Sequence, residues 1–211
     1  MGKNFSGNNA TGKRREGDYY PTPYSLTRLL AAYESFDMMP RDLGEYAQVL
    51  EPCHGKEQAI VEILQEPIWG DGPRSSRPFN HIVSYDISEG IDFFDETREF
   101  EYIITNPPFS LANKWVLHCK KITTRKFALL LPLSYLHGKE RYDSIYRDAE
   151  YPLVRVHVFT RYPHLGMPLR EDGKHYTGMQ VYAWFVWEKG MWQDHPEIRW
   201  IDNDEYVVRG E

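Results

Sequence analysis

The chain has 211 residues, 41% hydrophobic, 27% charged and 15% aromatic, which suits one well-filled core and a single domain. No run approaches a membrane span, the amino terminus carries no apolar signal core, and neither Cys53 nor Cys119 has a CxxC or histidine partner at metal spacing. These features point to a reduced, cytoplasmic chain without structural zinc, from a bacterium or a phage-infected cell. The net charge of −6 excludes a uniformly basic polyanion binder, but the charge is unevenly spread. Residues 1–15 carry Lys3, Lys13, Arg14 and Arg15 and no acid, 16–113 are strongly acidic, and 114–175 are basic and hold five of the eight histidines. Two basic segments on an acidic body make a candidate polyanion footprint; clustered solvated faces are the plain alternative.

In chain order, residues 1–17 read as a flexible basic arm and 18–211 as one domain. Tyr20-Pro21-Thr22-Pro23 is a stiff aromatic entry to a helix over 24–36, with Leu26, Leu29, Leu30 and Tyr33 on its core face and Thr22 as its cap. Residues 48–51 form a short strand ending in an acid, followed by the turn Pro52-Cys53-His54-Gly55 and a helix whose buried stripe is Ala59, Ile60, Ile63 and Leu64. Gly55 lets the backbone approach a ligand closely, and the helix end favours a carboxylate. Glu51 is placed to serve a cation. Residues 67–80, rich in Pro, Gly, Arg and Ser, read as a surface loop.

A second strand over 81–86 ends in Asp86, where a carboxylate can accept from both hydroxyls of a ribose or simply cap a turn. Asp92 and Phe93 follow Gly90. They are a candidate acceptor and stacking ring for an adenine, or else a loop acid and a core aromatic. Residues 100–106 make a buried strand that Pro107 and Pro108 stop. A helix over 111–121, a strand over 127–133, a basic and aromatic helical segment over 135–149, and strands over 153–159 and 180–187 complete the pattern, with one further strand at 198–201. The long loop 160–179 between two strands is a candidate functional segment.

The turn Asn106-Pro107-Pro108-Phe109 carries the clearest chemistry. An exocyclic amine on a planar ring is a poor nucleophile because its lone pair is delocalised. Two acceptors, the Asn106 side-chain oxygen and the Pro107 carbonyl, can take its two N–H bonds and localise that lone pair. Phe109 can stack on the ring and fix its plane. A proline-stopped strand with a side-chain cap and a half-buried phenylalanine is the plain reading.

The order of Tyr20-Pro21-Thr22-Pro23, Glu51-Pro52-Cys53-His54-Gly55, Asp86, Asp92-Phe93 and Asn106-Pro107-Pro108-Phe109 resembles the S-adenosylmethionine-dependent DNA adenine-N6 methyltransferases of the γ class. The resemblance covers residues 18–133 well and Phe159 to Trp187 more loosely. It implies an α/β Rossmann-like methyltransferase fold, with a seven-stranded, mainly parallel sheet, a reversed last strand and helices on both faces. It also implies that Tyr20, Thr22, Glu51, Cys53, Gly55, Asp86, Asp92, Phe93 and Asn106 line the site of S-adenosyl-L-methionine, without a metal. Asn106, Pro107 and Phe109 would act on the target adenine, with Pro108 and a second stacking aromatic, Phe159 or Tyr162, beside it. Lys139, Arg141 and Arg161 are candidate DNA contacts.

Two departures stand out. Lys56-Glu57-Gln58 follows where many relatives have a second glycine, so an altered loop geometry is expected. No separate target-recognition domain is visible, which leaves the 134–178 region and the arm to read the DNA, double-stranded and with the base flipped out. No membrane and no obligate protein partner are expected. Methylation of an RNA adenine or a protein glutamine amide, and a non-catalytic nucleic-acid-binding module of the same fold, are the alternatives.

Overall fold

The computed structural model describes residues 20–34, 47–66, 79, 81–161, 181–191 and 193–203. The basic arm, the 67–78 stretch, and Tyr162 with the loop to residue 180 lie outside these residues.

The core follows from the hydrophobic runs. Leu129, Leu130 and Leu131 are all fully buried, which requires cover on both faces of the sheet. Alternate residues of β4 (Thr123–Pro132) therefore enter two different cores. Phe127, Leu129 and Leu131 pack with Trp115, Val116, Cys119 and Ile122 of α3 (Ala112–Ile122). Ala128 and Leu130 pack with Leu26, Leu29 and Leu30 of α1 (Tyr24–Tyr33) and with Ile60 and Leu64 of α2 (Ala59–Gln65).

Seven strands form one sheet: β1 (Gln48–Glu51), β2 (His81–Ser84), β3 (Phe100–Thr105), β4, β5 (Leu153–Phe159), β6 (Tyr182–Glu188) and β7 (Glu197–Ile201). Their order is β2-β1-β3-β4-β6-β5-β7. All neighbouring pairs are parallel except β4 with β6 and β5 with β6. The reversed strand is β6, and the short β7 adds an edge beside β5. β4 begins four residues earlier than its apolar run suggests, because α3 passes straight into Thr123 without a loop.

The segment after β4 is helical but broken. It comprises a 3-10 turn (Leu133–Leu136), one helical turn (Lys139–Arg141) and a π-helical turn (Tyr142–Tyr146). α1 ends at Tyr33, earlier than its apolar spacing suggests, because Glu34 is extended, with φ −112° and ψ 126°. No described helix is long and apolar enough to cross a membrane.

Glu34, Lys126, Arg155 and His157 pair with one another inside this core. Glu34 Oε1 accepts from Lys126 Nζ at 2.8 Å and from Arg155 Nη2 at 2.6 Å. Its Oε2 meets Arg155 Nε at 2.6 Å and His157 Nε2 at 2.9 Å. Arg155 also reaches Glu188 at 2.7 Å. Burial alone would raise the Glu34 carboxyl, but hydrogen bonds from His157, Arg155 and Lys126 hold it far below the usual carboxylate range. The cluster fastens the end of α1 to β4, β5 and β6.

Removing one member of such a cluster strands the others, at a cost of about 3 kcal/mol or more. Glu34→Ala is expected to destabilise by that order in urea unfolding. Because the folded value lies below the ordinary 4.5, the Glu34 contribution is complete above that pH and is lost as pH falls below it. The variant should therefore show a shallower acid limb than the wild type. An unchanged acid limb would show that the carboxylate contributes nothing.

Candidate active site

Glu51, Thr105, Asn106 and Asp86 collect at the carboxyl ends of β1, β3 and β2. In the order β2-β1-β3, Glu51 ends the middle strand, Thr105 and Asn106 end or follow one neighbour, and Asp86 follows the other. The chain leaves β1 towards β2 and later returns to the opposite side as β3. The crevice between β1 and β3 is thus the reversal point at which open α/β sheets bind ligands.

Glu51 is fully buried. Its Oε1 accepts from the Thr105 hydroxyl at 2.7 Å and from the Cys53 N–H at 2.9 Å. Its Oε2 is buried with no hydrogen-bond partner among the described residues. Burial pushes the carboxyl up to about 8, with the Asp86 charge adding to the rise and the Thr105 and Cys53 bonds opposing it. Thr105 was not among the residues the motifs single out; its signal was a polar side chain at the end of an apolar strand. Cys53 takes part through its backbone, since burial pushes its thiol up well beyond the reactive range.

Gly55 has φ 61°, a left-handed value that favours glycine. Its N–H donates to Asp86 Oδ2 at 3.3 Å, and the His54 N–H donates to the Tyr85 carbonyl at 3.4 Å. The turn after β1 is thereby tied to the end of β2. Helix α2 opens only at Ala59, so Gly55 lies ahead of the helix and not in its first turn. Gln58 stands at the helix cap with φ 49° and ψ 27°. That is a left-handed conformation that a residue with a side chain adopts at a backbone cost.

Asp86 is mostly buried and caps a turn. Its Oδ1 accepts from the Ser88 N–H at 2.9 Å, and its own N–H donates to Glu89 at 3.2 Å, a reciprocal capping box. Burial would raise its carboxyl, but hydrogen bonds from Ser88 and Gly55 hold it below the usual range.

Asn106 is held from 84 and 86 positions away in the chain. Its Nδ2 donates to the Tyr20 carbonyl at 2.8 Å and to Thr22 Oγ1 at 3.0 Å. A carbonyl can only accept, so the amino group must face Tyr20 and the oxygen must face away. That oxygen, Oδ1, is buried with no partner among the described residues. Phe109 stacks on Tyr20, with centroids 5.5 Å apart and planes at 18°, and lies 5.3 Å from the Tyr182 ring. Pro107 is buried and Pro108 half-buried, and the Pro108 carbonyl accepts from the Leu111 N–H at 3.0 Å. Tyr182 escaped the sequence reading; it reaches the site because β6 runs antiparallel and starts beside Pro132, at the carboxyl end of β4.

Thr22, Phe93 and Phe159 depart from the packing expected of them. Thr22 does not cap α1: the cap position is Pro23 and no side chain bonds there. Phe93 is 3% exposed and stacks on Trp115 at 4.1 Å, with His118 edge-on at 4.7 Å, so it is a core ring rather than a free stacking platform. Asp92 is exposed and accepts from the Phe94 N–H at 2.9 Å, capping its turn. Phe159, 3% exposed, packs in the core shared with α1 and α2 and presents no open ring face. Tyr162, the other candidate, lies outside the described residues. Lys139 pairs with Asp143 of the following π-helical turn at 2.6 Å, and Arg141 lies 4.9 Å over the Tyr135 ring and donates to the His137 carbonyl. The Arg161 N–H donates to the Asn203 side chain at 2.8 Å. No group of acidic, histidine and cysteine side chains among the described residues has the arrangement of a metal site.

No protein-family model and no curated protein matches this chain. Solved structures do. A modification subunit of a putative type I restriction enzyme from Vibrio vulnificus YJ016 superposes with a TM-score of 0.51 at 13% identity, over 87% of this chain and 47% of that one. A type I restriction–modification structure superposes with a TM-score of 0.51 at 15% identity, over 90% and 46%. The type I methyltransferase subunit from Streptococcus thermophilus gives 0.49 at 12%, over 88% and 48%. The chain has the Rossmann-like methyltransferase fold. It spans about half the length of these structures. In this methyltransferase fold, Glu51, Gly55, Asp86 and Asn106 all sit at the carboxyl edge of the sheet.

Glu51 also supplies a pH test. Its folded value near 8 lies above the ordinary 4.5, so its favourable, protonated contribution is complete below that ordinary value and disappears as pH rises to about 8. Wild-type stability should decline across that window. Glu51→Gln keeps an acceptor for Thr105 and Cys53 and cannot ionise, so its unfolding midpoint should stay flatter over the same range. Parallel declines in the two proteins would place the titration elsewhere.

Proposed function

We propose that this protein transfers a methyl group from S-adenosyl-L-methionine to the exocyclic N6 amine of adenine in DNA. The observation that carries the reading is the Asn106 amide, whose nitrogen is engaged twice and whose buried oxygen is left without a partner. A buried acceptor without a donor costs about 1–3 kcal/mol, and an incoming amine removes that cost. The similar structures belong to type I restriction–modification, which agrees with DNA as substrate.

The residues around Glu51 suit the cofactor. The unpartnered Glu51 Oε2 lies in a site that would welcome a cation, and the approach of positive charge would bring the carboxyl down to its ionised form. The Gly55 turn brings backbone close to Asp86, whose remaining lone pairs can accept from a ribose. When bound, S-adenosylmethionine supplies an electrophilic methyl group.

The chain's own part is binding, orientation and electrostatics. Asn106 Oδ1 accepts one N–H of the adenine amine and draws the nitrogen lone pair out of conjugation. In this reading the Pro107 carbonyl, stiffened between two prolines, accepts the second N–H. Phe109, backed by Tyr20 and near Tyr182, holds the plane of the base. Once methylated, the nitrogen is cationic and acidic, so no strong base is required. Flipping the base from a duplex costs a few kcal/mol, which stacking and hydrogen bonding offset.

Asn106→Ala should lose methyl transfer to DNA by about 100-fold or more while binding the cofactor normally, since its oxygen acts on the amine. Asp86→Ala should weaken cofactor binding in calorimetry by about 10-fold. Labelled methyl transfer to DNA, RNA and protein substrates compares the acceptors directly. Transfer to RNA or protein alone, or full activity of the Asn106 variant, would remove this assignment.

A further inference from the structure

We propose that Thr22 and the Tyr20 carbonyl form a positioning clip that locks the Asn106 amide in the one orientation presenting oxygen to the substrate, and so make the site selective for an amine over a carbonyl. This rests on the adenine-amine reading of the site.

An asparagine amide is nearly symmetric in shape, and its two ends differ only in donating or accepting. Turned by half a rotation about its last bond, Asn106 would offer an NH2 group to the pocket and would bind a ring carbonyl instead. Among the described residues, the hydrogen bonds of the amide go to Tyr20 and Thr22 and not to β3. What prevents that turn is the segment ahead of α1. The Tyr20 carbonyl at 2.8 Å can only accept, and in the turned state it would face the Asn106 oxygen, lone pair against lone pair. The Thr22 hydroxyl accepts from the same nitrogen at 3.0 Å; a hydroxyl can also donate, so the carbonyl sets the sense of the amide and Thr22 adds the second bond that holds it. The usual duty of a threonine ahead of a helix is excluded here, because Pro23 holds the cap position of α1 and no side chain bonds there. The ring of Tyr20 meanwhile stacks on Phe109. Residues Tyr20 and Thr22 therefore order both groups that face the substrate, the amide and the ring.

Such an edge rejects the wrong partner strongly. A site whose fixed, buried acceptor meets another acceptor leaves both unpaired, and discrimination by unpaired polar groups is far larger than by shape. A base with a carbonyl in place of the amine would meet the locked Oδ1 in that way.

The test uses the full chain with Thr22→Val and Thr22→Ser, alongside Asn106→Ala. Methyl transfer is measured on unmethylated plasmid DNA, with cofactor affinity by calorimetry and folding by thermal melting. We expect Thr22→Val to lower kcat about 10-fold with KM for DNA and cofactor affinity within twofold of wild type. Thr22→Ser, which keeps the acceptor, should return to within threefold. A second measurement needs no variant: in nitrogen-15 spectra of the wild type, the Asn106 side-chain amide protons should exchange with solvent at least 10-fold more slowly than those of a free asparagine. Unchanged kcat in Thr22→Val with an inactive Asn106→Ala overturns the clip and leaves the functional reading standing. Weakened cofactor binding with unchanged kcat overturns it too, and returns Thr22 to the cofactor. Fast exchange of the Asn106 amide overturns it whatever the variants do. Full activity of Asn106→Ala overturns the functional reading itself, while slow exchange would still leave the amide locked.

Discussion

The central strands of this sheet see no water on either face, and that constraint decides where polar chemistry can sit. Phe127, Leu129 and Leu131 on one side and Ala128 and Leu130 on the other close both faces of β4. A polar atom within such strands must be paired or it destabilises the fold. The strand ends escape this rule, because turns can bring backbone donors and leave acceptors facing outwards. Glu51, Asp86 and Asn106 all lie there, on adjacent strands or just beyond them.

Helix α1 links two polar clusters at its opposite ends. Ahead of it, the Tyr20 carbonyl and Thr22 grip Asn106. Behind it, Glu34 gathers Lys126, Arg155 and His157. Its middle is held by Leu26, Leu29 and Leu30 in the core, and the Leu26 carbonyl accepts from Trp184 at 2.9 Å. Ten residues of helix span about 15 Å. The helix thus acts as a strut whose far end is anchored by charge, while the segment at its near end holds the Asn106 amide. A stable anchor at one end limits how far the clip at the other can drift.

The turn after β1 shows how a fold accommodates an unusual sequence. Gln58 takes a left-handed conformation at the start of α2, with the backbone cost that a side chain brings. The turn keeps its shape because Gly55 and His54 are bonded to the end of β2. Asp86 joins the two loops and caps its own turn with the same carboxylate. One acid therefore organises two turns, which is a structural duty that a ligand-binding role would have to share.

Much of the fold was legible from residue order alone. Apolar runs bounded by proline, glycine and acid located β1, β3, β4, β5 and β6, and helical spacing located α1, α2 and α3, because period and punctuation are local properties. The turn at Asn106 was legible too, since two prolines constrain the backbone whatever surrounds them. The direction of side chains was not. Phe93 and Phe159 carry the same sequence signal as a stacking aromatic, and only packing against Trp115 or against the α1 and α2 side of the sheet turned them inwards. Thr22 looked like a helix cap, and only the distance between chain-remote atoms assigned its hydroxyl to Asn106. Lys126 and His157 sat unremarked within apolar strands until Glu34 arrived from α1 to pair them. The amino-acid order by itself determined which elements form and where they stop, because those depend on neighbours in the chain. Tertiary structure alone decided which oxygen is left without a donor, because that depends on groups more than eighty residues apart.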